Sequence, residues 1–416
     1  MEGSTLAKLS QRRCAVGNRV AQVRHERSAD KGQAAPGSAA AAQASDSVTG
    51  EPLSAELALD GKQLSRSGPV VAVTGAARGL GLALTARLAV SPLVGRVVAI
   101  DDHRGDVTGV TWRIVDVRDP ALAGRLAGVD VVVHTDLDLS PESDARVRRA
   151  FNVRGAQTVL TAAAAGGVGR VVLVTSAMVY GARPDNPVPL SENAPLGTDS
   201  DGSIVGDLLE IEHLAQRSQR THLGLEVTIA RPAALVGDGI DTLITRHFEA
   251  PRLLAVKGCA ARWQFCHLAD LVSALELAVT GKVAGGFAVG CDGWLEQEEL
   301  EQLSGLRRIE LPAGLTFAAA QRLNRAGIIP TPVTDMRYVV YPWVVDCLAL
   351  HDAGWLPTYD NVTALEVLLE QRAGHHAVAG RRLDKKDATI TAAGATVAVI
   401  GTAAIVRQVR RRRRGS

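Results

Sequence analysis

Aromatic residues make up only 3% of this 416-residue chain, so Ala, Val, Leu and Gly, the last present 41 times, must carry most of the core. Such packing is common where helices cover a sheet. The five cysteines, Cys14, Cys259, Cys266, Cys291 and Cys347, are odd in number and form no C-x-x-C pair. That excludes a disulfide framework and fits a reducing cytosol. Adjacent His375 and His376, or Cys266 beside His267, do not repeat a ligand spacing elsewhere, so no metal site is expected. An excess of one charge is also lacking: the net charge of +2 argues against nucleic acid as a partner of the whole chain. Basic residues gather instead at the two ends.

Residues 1–66 lack sustained apolar periodicity and contain "QAAPGSAAAAQASDS", a tract too poor in apolar surface to offset its chain entropy. They are expected to be a disordered basic and Ala-rich extension. The basic stretch "RRCAVGNRVAQVRHER" has no apolar h-region and does not read as a signal peptide. From residue 69, "VVAVT", "RVVAI", "TWRIV", "VDVVVH", "RVVLVT" and "LEVTIA" alternate with helix-length segments such as "GLGLALTARLAV" and "DARVRRAFNVRGAQTVLTAAAAG". Strand and helix in strict turn, with Val/Ile runs apolar on both faces, predict an α/β fold: a Rossmann-like, doubly wound parallel sheet. This first domain is placed at 67–237. A smaller C-terminal substrate lobe, interleaved with it, occupies 238–374, and 375–387 reads as a linker.

Residues 388–406, "ATITAAGATVAVIGTAAIV", carry no charge and precede a polybasic tail, 407–416. Nineteen residues come close to the roughly 20 that cross a bilayer core, although Thr and Gly dilute the hydrophobicity. Gly394, Ala398 and Thr402 recur every four residues, as in closely paired membrane helices. The expectation is a C-terminal hydrophobic helix in contact with a membrane. Arg410–Arg414 and a folded cytoplasmic domain cannot both stay on one side of a single crossing, and a helix lying at the surface resolves this.

"VVAVTGAARGLG" puts Thr74, Gly75, Arg78, Gly79, Leu80 and Gly81 directly after the first strand and at the start of a helix. Glycines there let the backbone approach a pyrophosphate, and a helix N-terminus presents free N–H groups to it. Asp101 ends the second strand about 20 residues on, where a carboxylate can accept from ribose hydroxyls.

With these features the chain resembles the extended short-chain dehydrogenases/reductases, the NAD-dependent epimerase/dehydratase family, over about 69–372. Further matches are "VDVRD", which would set Asp116 and Val117 at the adenine; His134 at the end of the fourth strand; "FNVRGAQ" with Asn152; and "VTSAMVYG" with Ser176 and Tyr180. "ARPAALVG" and "WQFCHLADLVSAL", whose Asp270 opens a late helix, complete the series. The resemblance implies a dinucleotide cofactor. The glycine spacing T-G-x-x-x-G-x-G is that of shorter superfamily members. Arg78 and Arg104 would suit a 2′-phosphate, whereas Asp101 would repel one, so NAD is preferred, with NADP as the alternative.

The resemblance also exposes what is missing. Members carry a Tyr and, four residues later, a Lys that together exchange a proton as hydride moves. Aligning Glu212 with the acidic residue that follows puts Ile204 and Leu208 at these positions. None of the four tyrosines has a Lys four residues on. General acid–base help is worth about 10²–10⁴ in rate, so its loss leaves binding without useful turnover unless another group substitutes. Ser176 and Asp136 are the catalytic candidates. Asp136, in "HTDLD", stands where small apolar residues are usual, and could act as an acid, bind a ribose hydroxyl or face water. Asp207 and Glu210 are expected on an exposed helix face, and His134 and His267, next to apolar runs, are expected to be satisfied core histidines more than ligands.

Two functions follow from this. The preferred one is a degenerate dinucleotide-binding sensor or scaffold at a membrane surface. The alternative is an active oxidoreductase or epimerase with a rearranged acid/base site, acting on a small-molecule or lipophilic substrate. Family usage implies a homodimer through helices near 141–165 and 205–220. Arg252, Arg262 and Trp263 in the second lobe are expected to stabilise the fold.

Overall fold

A computed structural model describes residues 68–197, 201–259, 261–325 and 334–372, together with the backbone of 377–378 and 381–382. The expected extension 1–66, the helix 388–406 and the tail 407–416 lie outside the described residues. Among the described residues, no helix is long and apolar enough to cross a membrane.

Seven strands form one parallel sheet: β1 (Val70–Thr74), β2 (Arg96–Asp101), β3 (Thr111–Ile114), β4 (Val131–His134), β5 (Arg170–Val174), β6 (Glu226–Pro232) and β11 (Gly286–Val289). Their order is β3-β2-β1-β4-β5-β6-β11. All six neighbouring pairs are parallel. Each connection must therefore cross over; helices supply the crossovers except between β2 and β3, which are joined by the loop 102–110. The six strands expected from the sequence are all present. The seventh, β11, lies in the second lobe's part of the chain, where the alternation had become irregular.

Side-chain alternation explains the two covered faces. Val71 and Val73 of β1 point to one face, where Leu84 and Leu88 of α1 (Gly79–Val90) and Leu271 and Leu275 of α6 (Leu268–Val279) pack on them. Ala72 points to the other, beneath α2 (Leu122–Arg125), α3 (Ala145–Ala165) and α4 (Ile204–Thr221). The second lobe adds α5 (Leu243–Glu249), the short pair β7 (Ala234–Val236) and β10 (Phe265–His267), and α10 (Asn361–Arg372). Its core collects much of the scarce aromatic content, with Phe248 edge-on to Trp263 and Phe265.

Behind the sheet's C-terminal edge a buried polar network joins four elements. The Glu212 carboxylate of α4 accepts from Thr175 Oγ1 at 2.9 Å and from Arg231 of β6 at 2.9 and 2.6 Å. Arg231 also donates to the Tyr180 hydroxyl at 2.8 Å, which in turn donates to the Glu192 carbonyl at 2.7 Å. Breaking a buried pair on one side leaves an uncompensated charge, which costs about 3–5 kcal/mol. Arg231→Met is therefore expected to lower unfolding free energy by about that much in urea titration. Adding Glu212→Gln to it should recover part of the loss, because the buried charge is then gone.

Candidate functional site

Strand order reverses between β1 and β4, which are paired at Thr74 and His134. Ligands of open α/β sheets bind beyond the strand ends at such a point. A cleft of ≈ 330 Å³ opens there, with Gly75, Arg78, Gly79 and Leu80 on one side and Thr135 to Ser140 on the other. Its far wall includes Ser176, Ile204, Leu208, Leu243, Asp335 and Trp343.

The glycine turn is shaped by close backbone approach. Gly75 has φ +69°, a conformation that favours glycine, and a Cβ on Gly81 would lie 2.0 Å from the Gly75 carbonyl oxygen. Gly79, φ +49°, has nothing within 4 Å of its Cβ position. Arg78 precedes the first turn of α1, and no side chain caps that end. The helix thus offers unsatisfied N–H groups beside an open surface, an arrangement that fits a pyrophosphate.

The residues expected at the cofactor divide by position. Gly75, Arg78, Gly79 and Leu80 line the cleft. Thr74 and His134 lie beneath its floor, Thr74 Oγ1 meeting His134 Nδ1 at 2.8 Å. Burial lowers the His134 pKa to about 4, so its ring is neutral. Asp101 is buried at the end of β2 and accepts from the Ala77 N–H at 2.9 Å, tying the second strand to the turn. Asp116 forks onto Arg118 at the surface. Val117 is buried against the α3 position where Gly155 leaves room for it. Asn152 shapes the opposite wall, its side chain bonding both the N–H and the carbonyl of Asp138 at 2.8 and 2.9 Å.

Asp136 does not face water: it is 7% exposed and accepts from Arg78 at 3.0 Å. Burial raises its pKa and the guanidinium opposes the rise. Ser176 donates to the Pro232 carbonyl at 3.4 Å and accepts from the Met178 N–H at 3.2 Å, while still lining the cleft.

At the expected Tyr and Lys positions, Ile204 and Leu208 form an apolar strip of the wall, 6% and 1% exposed. The expectation for Asp207 is corrected: it is not on an exposed face but fully buried, bound by Arg148 of α3 at 2.9 Å and Arg149 at 3.2 Å. It holds α4 against α3 and turns away from chemistry. Glu210 pairs with Arg217 at 3.1 Å. His267 is likewise not a core residue: it caps α6 and stacks on Tyr359 at 3.6 Å. Asp270 accepts from the Thr358 and Tyr359 N–H groups, fixing the segment after the G-W-x-P turn.

Sequence reading missed Asp335. It begins a short 3-10 turn (Asp335–Val339), lines the cleft and is 1% exposed. Oδ2 accepts from the Ile204 N–H at 3.3 Å, whereas Oδ1 is buried without a partner. Burial is the main cause pushing its pKa up to about 7, with Asp201 adding to the rise and Arg148 opposing it. The only signal for it in the sequence is a carboxylate next to an apolar run, "DMRYVVYPW". Because its folded pKa exceeds the unfolded value near 3.9, the folded state holds the extra proton between these values. Stability from this group is thus full below pH ~4 and is lost as pH rises through about 7. Asp335→Asn should gain in urea midpoint over wild type as pH is raised from 4 to 8; a pH-independent difference would contradict this assignment.

Comparison with known proteins agrees with this architecture. The family model described as "NAD dependent epimerase/dehydratase family" matches residues 71–290. An uncharacterized protein of Mycobacterium tuberculosis is 32% identical over 310 residues, covering 71% of this chain and 82% of the relative. A dTDP-glucose 4,6-dehydratase of Streptomyces niveus is 31% identical over 180 residues, 41% of this chain and 51% of the relative. Among solved structures, the Thermus thermophilus UDP-glucose 4-epimerase complex with NAD is similar in fold at TM-score 0.55 and 19% identity, covering 73% of this chain and 99% of that one. The Streptomyces venezuelae dTDP-glucose 4,6-dehydratase double mutant with bound NAD gives TM-score 0.55 at 22% identity, over 73% and 97%. With more than half its length matched by that family model, the chain belongs to the NAD-dependent epimerase/dehydratase family.

Proposed function

We propose that this protein binds NAD(H) at the β1–α1 turn and, without a Tyr–Lys relay, serves as a cofactor-occupied sensor or scaffold. The observation that carries the reading is the wall at Ile204 and Leu208: both side chains line the cleft and neither can transfer a proton. The glycine turn, by contrast, keeps the close approach and the open face that a pyrophosphate needs. Bound there, NAD would supply a hydride acceptor or donor. Gly75, Gly79, Leu80 and the first N–H groups of α1 would hold its phosphates. Asp101, Asp102 and His103 cluster at the end of β2, and Arg78 is drawn to Asp136, which together disfavour a 2′-phosphate and support NAD over NADP. Relatives with NAD bound in the same fold support the same choice.

The membrane-surface part of this reading rests on the sequence of 388–416 alone, and α3 with α4 is its dimerisation face. A specific observation favours a second reading, an active oxidoreductase or epimerase with a rearranged acid/base site. Asp335 brings a buried carboxyl with one unpartnered oxygen to the same wall, where it can hold or release a proton. Asp136 is another carboxyl lining the cleft, but its oxygen is engaged by Arg78.

Turnover separates the two. The full chain mixed with NAD⁺ or NADH and a panel of alcohols, aldehydes and UDP-glucose is expected to leave the nicotinamide absorbance and the sugar unchanged. Turnover that Asp335→Ala abolishes would contradict the sensor reading and establish the second.

A further inference from the structure

Past the glycine turn the cleft changes character. Leu137, Leu139, Met178, Ile204, Leu243 and Trp343 give it an apolar wall. Among the described residues, the charged ones lining it are Arg78, Asp136, Asp138, Asp241 and Asp335, four carboxyls against one guanidinium. That guanidinium already lies 3.0 Å from Asp136. Two buried arginines near this wall are also engaged: Arg246 of α5 by Asp241 and Glu142, and Arg148 of α3 by Asp207. A second phosphate-bearing molecule would thus lose its hydration against a wall that is apolar or negative. An uncharged apolar molecule gains by the same burial.

Asp335 adds a direction. Asp335 lines this wall and its Oδ1 is buried and unpartnered, so it lacks a hydrogen-bond donor that a ligand reaching it can provide. We infer that the apolar half of the cleft receives an uncharged, lipophilic molecule with a hydroxyl group, whose O–H donates to Asp335 Oδ1. This deepens the proposed function and rests on its placement of the dinucleotide at the Gly75–Leu80 end. It also separates this chain from those relatives whose structures hold UDP-glucose.

The test uses the full chain saturated with NADH at a pH above 7, where Asp335 is ionised, with Nile red as an uncharged fluorescent reporter. Nile red should bind, 1-decanol should displace it, and UDP-glucose should not. Leu243→Arg should cut Nile red affinity at least about tenfold by placing a charge in the wall. Asp335→Asn should weaken 1-decanol about tenfold while leaving Nile red, which has no donor, nearly unchanged. NADH saturation of each variant reports that it is folded. Displacement by UDP-glucose, absence of Nile red binding, unchanged Nile red affinity in Leu243→Arg or unchanged decanol affinity in Asp335→Asn would overturn the inference. Failure of NADH to bind would contradict the dinucleotide reading instead, and dye displacement on the cofactor-free chain would still decide the nature of the wall.

Discussion

Helix α1 can start against the end of β1 only because Gly81 has no side chain: a Cβ there would meet the Gly75 carbonyl oxygen at 2.0 Å. The rest of the cleft follows from this contact. It brings the first turn of α1 down onto the switch point between β1 and β4, where Gly79 and Leu80 line the opening. Asp101 then secures the turn from β2 through the Ala77 N–H, and Asn152 secures the facing loop through Asp138. Both walls are held by buried groups, so the site is preorganised by backbone and not by mobile side chains.

The opposite wall is held by buried polar contacts and presents apolar side chains to the cleft. Glu212, Arg231, Thr175 and Tyr180 lock α4 to β5 and β6, and Asp207 anchors α4 to α3 through Arg148. On the cleft side of the same helix stand Ile204 and Leu208. The helix is thus rigidly placed to present an apolar surface beside a dinucleotide turn. Asp335, reaching the N-terminus of that helix, is the polar exception.

What was legible in the sequence was local. Val-rich runs apolar on both faces gave six of the seven strands, and the glycine spacing located the turn, because periodicity and φ requirements are encoded within a few neighbouring residues. Long-range partners were not legible. Asp207 read as surface because Arg148, 59 residues earlier, becomes its neighbour only when α3 packs on α4. Asp335 stayed hidden because the Ile204 N–H that gives it meaning is 131 residues away. The strand β11 was lost among the irregular elements of the second lobe, where short strands and turns leave no sustained period.

The most direct measurement is a fluorescence titration of the full chain with NADH and, separately, NADPH, run beside Gly81→Ala. The account predicts tight binding of NADH, weaker binding of NADPH against the carboxylates at the end of β2, and loss of both in the variant. Absence of NADH binding, or binding that Gly81→Ala leaves intact, would contradict it.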